Sequence, residues 1–115
     1  MFKPTLSIIT IVYNNVRDIE YTLLSVLEQR YAPIEYIVVD GNSNDGTMDV
    51  IKRYADNIDI LISEPDQGIY DAMNKGLAAA TGDYVLFLNS GDALFSPDTV
   101  ATVFAAAADA DIYYG

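Results

Sequence analysis

Residues able to take part in chemistry gather in three short polar runs, each following an apolar one. Tyr13-Asn14-Asn15 follows Leu6–Val12, Asp40-Gly41-Asn42-Ser43 follows Tyr36–Val39, and Asn89-Ser90-Gly91-Asp92 follows Tyr84–Leu88. An aspartate facing a base or ribose accepts hydrogen bonds from a ring N–H or a hydroxyl. An aspartate beside a diphosphate repels it unless a cation bridges the two. On these grounds Asp40 is expected to contact a nucleoside and Asp92 to ligate a metal. Polar residues also follow strands simply because loops are polar. Three such runs together, with carboxylates, small residues and glycines that let a ligand approach the backbone, point instead to a site.

Composition narrows the chemistry further. The 115 residues contain no Cys and no His, which removes thiol catalysis, disulfides, the usual zinc sites and every histidine triad. Acid–base work falls to carboxylates, and the metals such a chain can hold are oxygen-liganded Mg2+ or Mn2+. Six Lys and Arg against seventeen Asp and Glu give a formal charge of −11. A surface of that sign repels nucleic acid and anionic lipid, so no nucleic-acid partner is expected. A bound phosphate would need local positive charge, which a divalent cation supplies. Neither G-x-G-x-x-G after the first strand nor G-x-x-x-x-G-K-S/T occurs, so the dinucleotide and P-loop readings lose their main support.

The elements that must position these runs alternate. Leu6–Val12 reads as a strand buried on both faces, and Asn15 is placed to cap a helix from Val16 carrying Ile19, Leu23, Val26 and Leu27 on one side. A second strand spans Tyr36–Val39, ending at Asp40, and a second helix runs from Asp45 or Thr47 to about Ala55. Ile58–Ile62 forms a third strand, and Glu64–Gly68 a loop. Ile69–Thr81 forms a third helix stopped by Gly82. Tyr84–Leu88 is a fourth strand, Ser96-Pro97 opens a fourth helix to about Ala108, and Ile112–Tyr114 begins a fifth strand. This order predicts an α/β fold of three layers, a mostly parallel sheet with helices on both faces. In such sheets ligands bind beyond the carboxyl ends of the strands, where the strand order reverses. If strands one and four are neighbours, the three polar runs converge.

Three stretches then carry a resemblance: SIITIVYNN (Ser7–Asn15), VVDGNSNDGT (Val38–Thr47) and SEPDQGIYDAMNKGLAAATGDYVLFLNSGD (Ser63–Asp92). In this order, over nearly the whole chain, they resemble the inverting glycosyltransferases of family 2, with the GT-A fold, a Rossmann-like nucleotide-binding half. The resemblance implies transfer of a sugar from a nucleoside diphosphate donor, with UDP-sugar favoured, to a hydroxyl of a sugar or glycan acceptor, aided by Mg2+ or Mn2+. It implies that Ile11, Tyr13, Asn14 and Ser90 line the nucleotide, that Asp40 touches the base, and that the run after strand four is a D-x-D-type metal motif. The chain departs from the family where D-S-D-D becomes Asn89-Ser90-Gly91-Asp92, leaving Asp92 as the carboxylate and Asn89 as a neutral oxygen or water contact. It departs again where A-R-N-x-G becomes Ala72-Met73-Asn74-Lys75-Gly76.

Asp71 and Lys75, four apart on one helix face, are either an ordinary surface ion pair or a nucleotide contact in which Lys75 offsets phosphate charge. Tyr54, Tyr84, Tyr113 and Tyr114 read as packing residues, and Asp45 as a helix cap. The relatives' general base lies downstream of the metal motif. The 115 residues are therefore expected to form one donor-binding domain cut before the acceptor-binding half, with an open sheet edge able to pair with another copy. Without an apolar leader or a membrane-length apolar run, no transmembrane segment is expected, and a cytoplasmic protein is, free or peripheral at the inner membrane face. Other readings are a sugar-nucleotide sensor without catalysis and a receiver-like signalling module. The latter calls for an acidic pair after strand one, a phosphorylated Asp after strand three and a Lys after strand five. Strand one ends here in Tyr-Asn-Asn and strand three in Ser-Glu.

Overall fold

The computed structural model describes residues 4–107. Four parallel strands, β1 (Leu6–Val12), β2 (Ile34–Asp40), β3 (Ile60–Ser63) and β4 (Tyr84–Phe87), lie in the order β3-β2-β1-β4. Helices α1 (Ile19–Leu27), α2 (Thr47–Lys52), α3 (Ile69–Ala79) and α4 (Thr99–Ala107) connect and flank them, with a 3-10 turn at Ala55–Asn57. The expected fifth strand and the packing roles of Tyr113 and Tyr114 lie outside the described residues.

Strand periodicity sorts the side chains into two cores. Leu6, Ile8 and Val12 of β1, with Tyr36 and Val38 of β2, pack under α1, α2 and α4 against Ile19, Leu23, Val26, Ile51 and Val100. Ile9, Ile37 and Val39 face the other way, onto Ala72 of α3. The helices follow from handedness. The chain steps from β1 to β2 to β3 with α1 and α2 on one face, then reverses direction to β4 and carries α3 across the opposite face, as right-handed crossovers require. The reversal leaves β1 between β2 and β4, so the strand order switches beside β1. Two polar groups in the larger core satisfy each other, Thr10 Oγ1 and the Tyr36 hydroxyl at 2.8 Å.

Several expected boundaries move, each for a local reason. The first helix starts at Ile19, not Val16, with Asp18 at its N-cap; the backbone carbonyl of Asn15 accepts the Asp18 and Ile19 N–H groups, and its amide nitrogen donates to Ser90. α2 stops at Lys52, where the chain tightens into the 3-10 turn, and β3 begins at Ile60. Ser96 does organise a turn, its hydroxyl accepting the Asp98 N–H while Thr99 Oγ1 accepts the Ser96 N–H, but the helix proper starts at Thr99. Gly82 is not the helix stop. α3 ends at Ala79, and a Cβ at Gly82 would lie 2.5 Å from Ser7 Oγ and 2.8 Å from the Thr5 carbonyl oxygen. Glycine stands there because the backbone runs hard against the start of β1. Tyr54 and Tyr84 are packing residues as expected. Tyr54 covers the larger core and donates its hydroxyl to Glu20, while Tyr84 stacks at a tilt on Phe104.

Candidate functional site

Adjacent strands bring the three polar runs to one rim. Val12 pairs in register with Asp40, Gly41 N–H bonds the Val12 carbonyl, and Ser90 N–H bonds the Ile11 carbonyl at 3.0 Å. The ends of β2 and β4 are thus two strand spacings apart, about 10 Å.

The loop after β1 is laced to the loop after β2. Asn14 N–H donates to Ser43 Oγ, Asn44 N–H to Asn14 Oδ1, Asn15 N–H to Thr47 Oγ1, and Val16 N–H to Asp45 Oδ2. Asn14 and Asn42 take the left-handed backbone with φ of 46° and 74°, which asparagine tolerates better than most residues. Asp45 also accepts the N–H and hydroxyl of Thr47, so it ties down the start of α2 from one position outside the N-cap, which is Gly46 and not Asp45. The Thr47 hydroxyl is the main influence holding its carboxyl below the ordinary aspartate value; partial desolvation opposes it, and the Thr47 and Val16 amides add to the lowering.

Two clefts open on this rim and share a wall. One, of about 340 Å3, is lined by Ile11, Val12, Tyr13, Asn15, Asp66, Gly68, Ile69, Asn89 and Ser90. The other, of about 360 Å3, is lined by Tyr13, Gly41, Asn42, Asn44, Pro65 and Asp66. Tyr13 and Asp66 belong to both. Tyr13 is 62% exposed, so an aromatic side chain is accessible in the cleft wall. Gly41 makes room for this pair, since a Cβ there would stand 2.8 Å from Asp66 Oδ2 and 3.2 Å from the Tyr13 ring.

Of the residues singled out from the sequence, Ile11, Tyr13, Asn89 and Ser90 line a cleft. Asn14 braces the loops behind it. Asp40 is fully buried, and its carboxylate accepts the Asn42 and Ser43 N–H groups and the Ser43 and Ser63 hydroxyls. Direct contact with a base would require exchange of one of those bonds. Asp71 and Lys75 line neither cleft. Asp71 accepts the Gln67 N–H, while Lys75 donates to the Pro65 carbonyl and pairs with Glu64 and Asp71 at 3.2 and 3.5 Å. Partial desolvation would lower the Lys75 ammonium, but Glu64, with Asp71, outweighs it and holds the group above the ordinary lysine value. Together they fasten the loop that carries Asp66. Asp92 is exposed on the turn beyond Asn89 and Ser90, its N–H bonded to the Asn89 carbonyl at 2.9 Å.

Asp66 is the cleft residue that sequence reasoning passed over as loop. The available signal was its place in Glu64-Pro65-Asp66-Gln67-Gly68, directly before a helix. Its Oδ1 accepts the Gly68 N–H, where glycine takes a φ of 114°.

Among the described residues no Lys or Arg lines either cleft. Among the described residues no three carboxylates converge as a ready-made metal cage. Asp92 lines neither cleft; its carboxylate and the neutral oxygens of Asn89 and Ser90 before it are donors of the all-oxygen kind that Mg2+ or Mn2+ takes, which phosphate and water would complete.

Residues 7–115 match the family described as glycosyl transferase family 2. The chain belongs to that family. This family 2 glycosyltransferase chain is 44% identical over 99 residues to an uncharacterized glycosyltransferase of Mycobacterium tuberculosis, covering 85% of this chain and 38% of the relative. It is 37% identical to a PGL/p-HBAD biosynthesis glycosyltransferase of Mycobacterium bovis, over all of this chain and 47% of the relative. The chain therefore spans less than half the length of these relatives. Among solved structures, a mannosyltransferase from Pyrobaculum calidifontis in complex with GDP-Man and Mn2+ superposes with a TM-score of 0.85 at 30% identity, covering 96% of this chain and 34% of that one. S. aureus TarS 1–349 in complex with UDP-GlcNAc superposes at 0.81 with 25% identity, covering 91% and 31%. The sheet and helices of this family 2 chain are those of GT-A glycosyltransferases, as the sequence led one to expect. No helix among the described residues is long and apolar enough to cross a membrane.

Proposed function

We propose that this chain is the donor-binding part of an inverting glycosyltransferase, seating a nucleoside diphosphate sugar with Mg2+ or Mn2+ in the paired clefts. The observation that carries the reading is the shared wall. Tyr13 offers a flat, accessible ring and Asp66 a carboxylate at the junction of two clefts at the strand-order switch. A base stacked on Tyr13 would present ring N–H groups to Asp66, with Asp40 setting the backbone of the facing loop. The diphosphate would extend toward Asn89, Ser90 and Asp92. The family neighbours solved with GDP-Man and Mn2+ and with UDP-GlcNAc support this class of ligand.

In that arrangement Asp92 would be the anionic ligand for the cation, Asn89 and Ser90 would supply neutral oxygens, and the laced loops would orient the donor for in-line attack. When bound, the cation offsets charge developing on the leaving diphosphate. The acceptor would be a sugar or glycan hydroxyl, deprotonated by a carboxylate general base. Calorimetry of the chain with UDP and GDP, with and without Mn2+, tests the donor site. Nucleotide binding strengthened by Mn2+, and a gain lost in Asp92→Ala, is expected. Binding that ignores Mn2+ and survives Asp92→Ala undiminished would leave only a base-reading sensor. No binding in any condition would sink the donor assignment.

A further inference from the structure

A polar stripe on α1 has no place in the family reading of the sequence. Thr22 and Ser25 on α1, with Gln29 just past its end, recur at helical spacing and bond the segment after β4. Ser25 Oγ accepts the Leu94 N–H at 3.1 Å, and Gln29 donates to the Ser96 carbonyl and accepts the Val100 N–H. Thr22 reaches the turn that carries Asp92. Its hydroxyl is fully buried, accepts the Gly91 N–H at 2.9 Å and donates to the Asp92 carbonyl at 2.7 Å. A threonine inside a helix ordinarily turns its hydroxyl back to a carbonyl of the preceding turn. Here the hydroxyl leaves its own helix to serve a loop 70 residues away.

The geometry points to Thr22 as the positioning residue for the metal-ligating turn, an inference that rests on the donor-site reading above. Both backbone polar groups of Asp92 are held, its N–H by the Asn89 carbonyl and its C=O by Thr22. Gly91 before it sits at φ 99°, a conformation with many alternatives open to glycine, and the Thr22 bond to its N–H selects one of them. A turn with a single carboxylate cannot compensate for a misplaced ligand with a second one. One buried hydroxyl therefore sets where the Asp92 carboxylate is presented, while Tyr13 and Asp66, on other elements, stay independent of it.

Thr22→Val keeps the side-chain shape and removes both bonds, and Thr22→Ser keeps both. Calorimetry with UDP and GDP, each with and without Mn2+, reads the metal-dependent gain separately from nucleotide binding alone. In Thr22→Val the Mn2+-dependent gain should fall about tenfold or more, as for loss of other groups that orient metal ligands. Metal-free affinity should be unchanged, and Thr22→Ser should restore the gain. If Thr22→Val melts below the assay temperature, Thr22→Cys, whose thiol is a poor donor and acceptor, takes its place. An unchanged Mn2+ gain in Thr22→Val alongside a lost gain in Asp92→Ala overturns the positioning role and leaves the donor site standing. An equal loss with and without metal overturns it as well, since that marks general loosening. Wild-type protein with no Mn2+ gain overturns the donor-metal reading, and this inference with it.

Discussion

Asn15 Nδ2 donates to Ser90 Oγ at 2.9 Å, joining residues 75 positions apart in the chain. The bond crosses the place where the sheet reverses its strand order, so it closes the rim between the loops after β1 and β4. The Asn15 N–H meanwhile reaches Thr47 on the other side. One residue thus ties together the three loops around the clefts, its backbone serving one neighbour and its amide the other.

Asn15→Ala should keep the Thr47 bond and lose the Ser90 bond. A stability loss of about 1 kcal/mol is expected for one net hydrogen bond, read by urea unfolding. Nucleotide affinity should fall both with and without Mn2+, because Asn15 lines the cleft directly. Unaltered affinity would show that the rim holds its shape without this joint.

Gly76→Ala separates helix propensity from packing. In an exposed helix the change would gain about 1 kcal/mol. Here a Cβ at Gly76 would stand 2.5 Å from Ile9 Cγ2, and the stiff, buried Ile9 has no room to yield. A net loss of about 1–3 kcal/mol from overpacking is expected in chemical denaturation. A stabilised variant would mean that α3 does not lie this close to β1.

Gly91 tests conformation alone. A Cβ there meets nothing nearer than Asn15 Nδ2 at 3.7 Å, yet φ is 99°. Gly91→Ala should cost about 1–2 kcal/mol for the left-handed backbone. Gly91→Asn should cost less and Gly91→Val more, in line with each residue's tolerance of positive φ. The order of the three melting temperatures is the readout, and equal melting temperatures would contradict the assigned turn.

Glu35 offers a pH test away from the clefts. It accepts the Thr81 N–H and the Thr81 and Ser7 hydroxyls, fastening the end of the α3 connection to β1 and β2. Desolvation pushes its carboxyl up, but the bonds from Thr81 and Ser7 together outweigh this and bring it below the ordinary glutamate value of 4.5. A folded-state value below the unfolded one adds stability at neutral pH that is lost as pH falls through the folded value. Glu35→Gln, with one acceptor oxygen for three donors, should therefore be less stable than wild type at pH 7, and the gap should narrow below pH 4.5. A gap that stays constant into acid would show that the charge contributes nothing.

The strand runs and the polar runs that follow them were legible in the residues themselves, while the neighbouring of β1 and β4 came from the fold. A strand buried on both faces is mostly apolar along its length, with Ser7 and Thr10 the buried polar exceptions, so Leu6–Val12 marks its own limits and the polar residues after it mark the rim. The family motifs were readable for the same reason, being local runs. How Asp40, Lys75, Asp66 and Thr22 are placed and bonded was decided only by folding. Asp40 and Lys75 have the composition of ligand contacts, and only the fold shows that Asp40 also accepts the Ser63 hydroxyl and that Lys75 pairs with Glu64. Asp66 reads as loop until Gly41 and Tyr13 come against it. Thr22 reads as one polar residue on a helix until the β4 turn arrives beside it. A hydrogen-bonding group declares its capacity in sequence, but its partner is chosen by whichever segment the sheet order brings within about 3 Å.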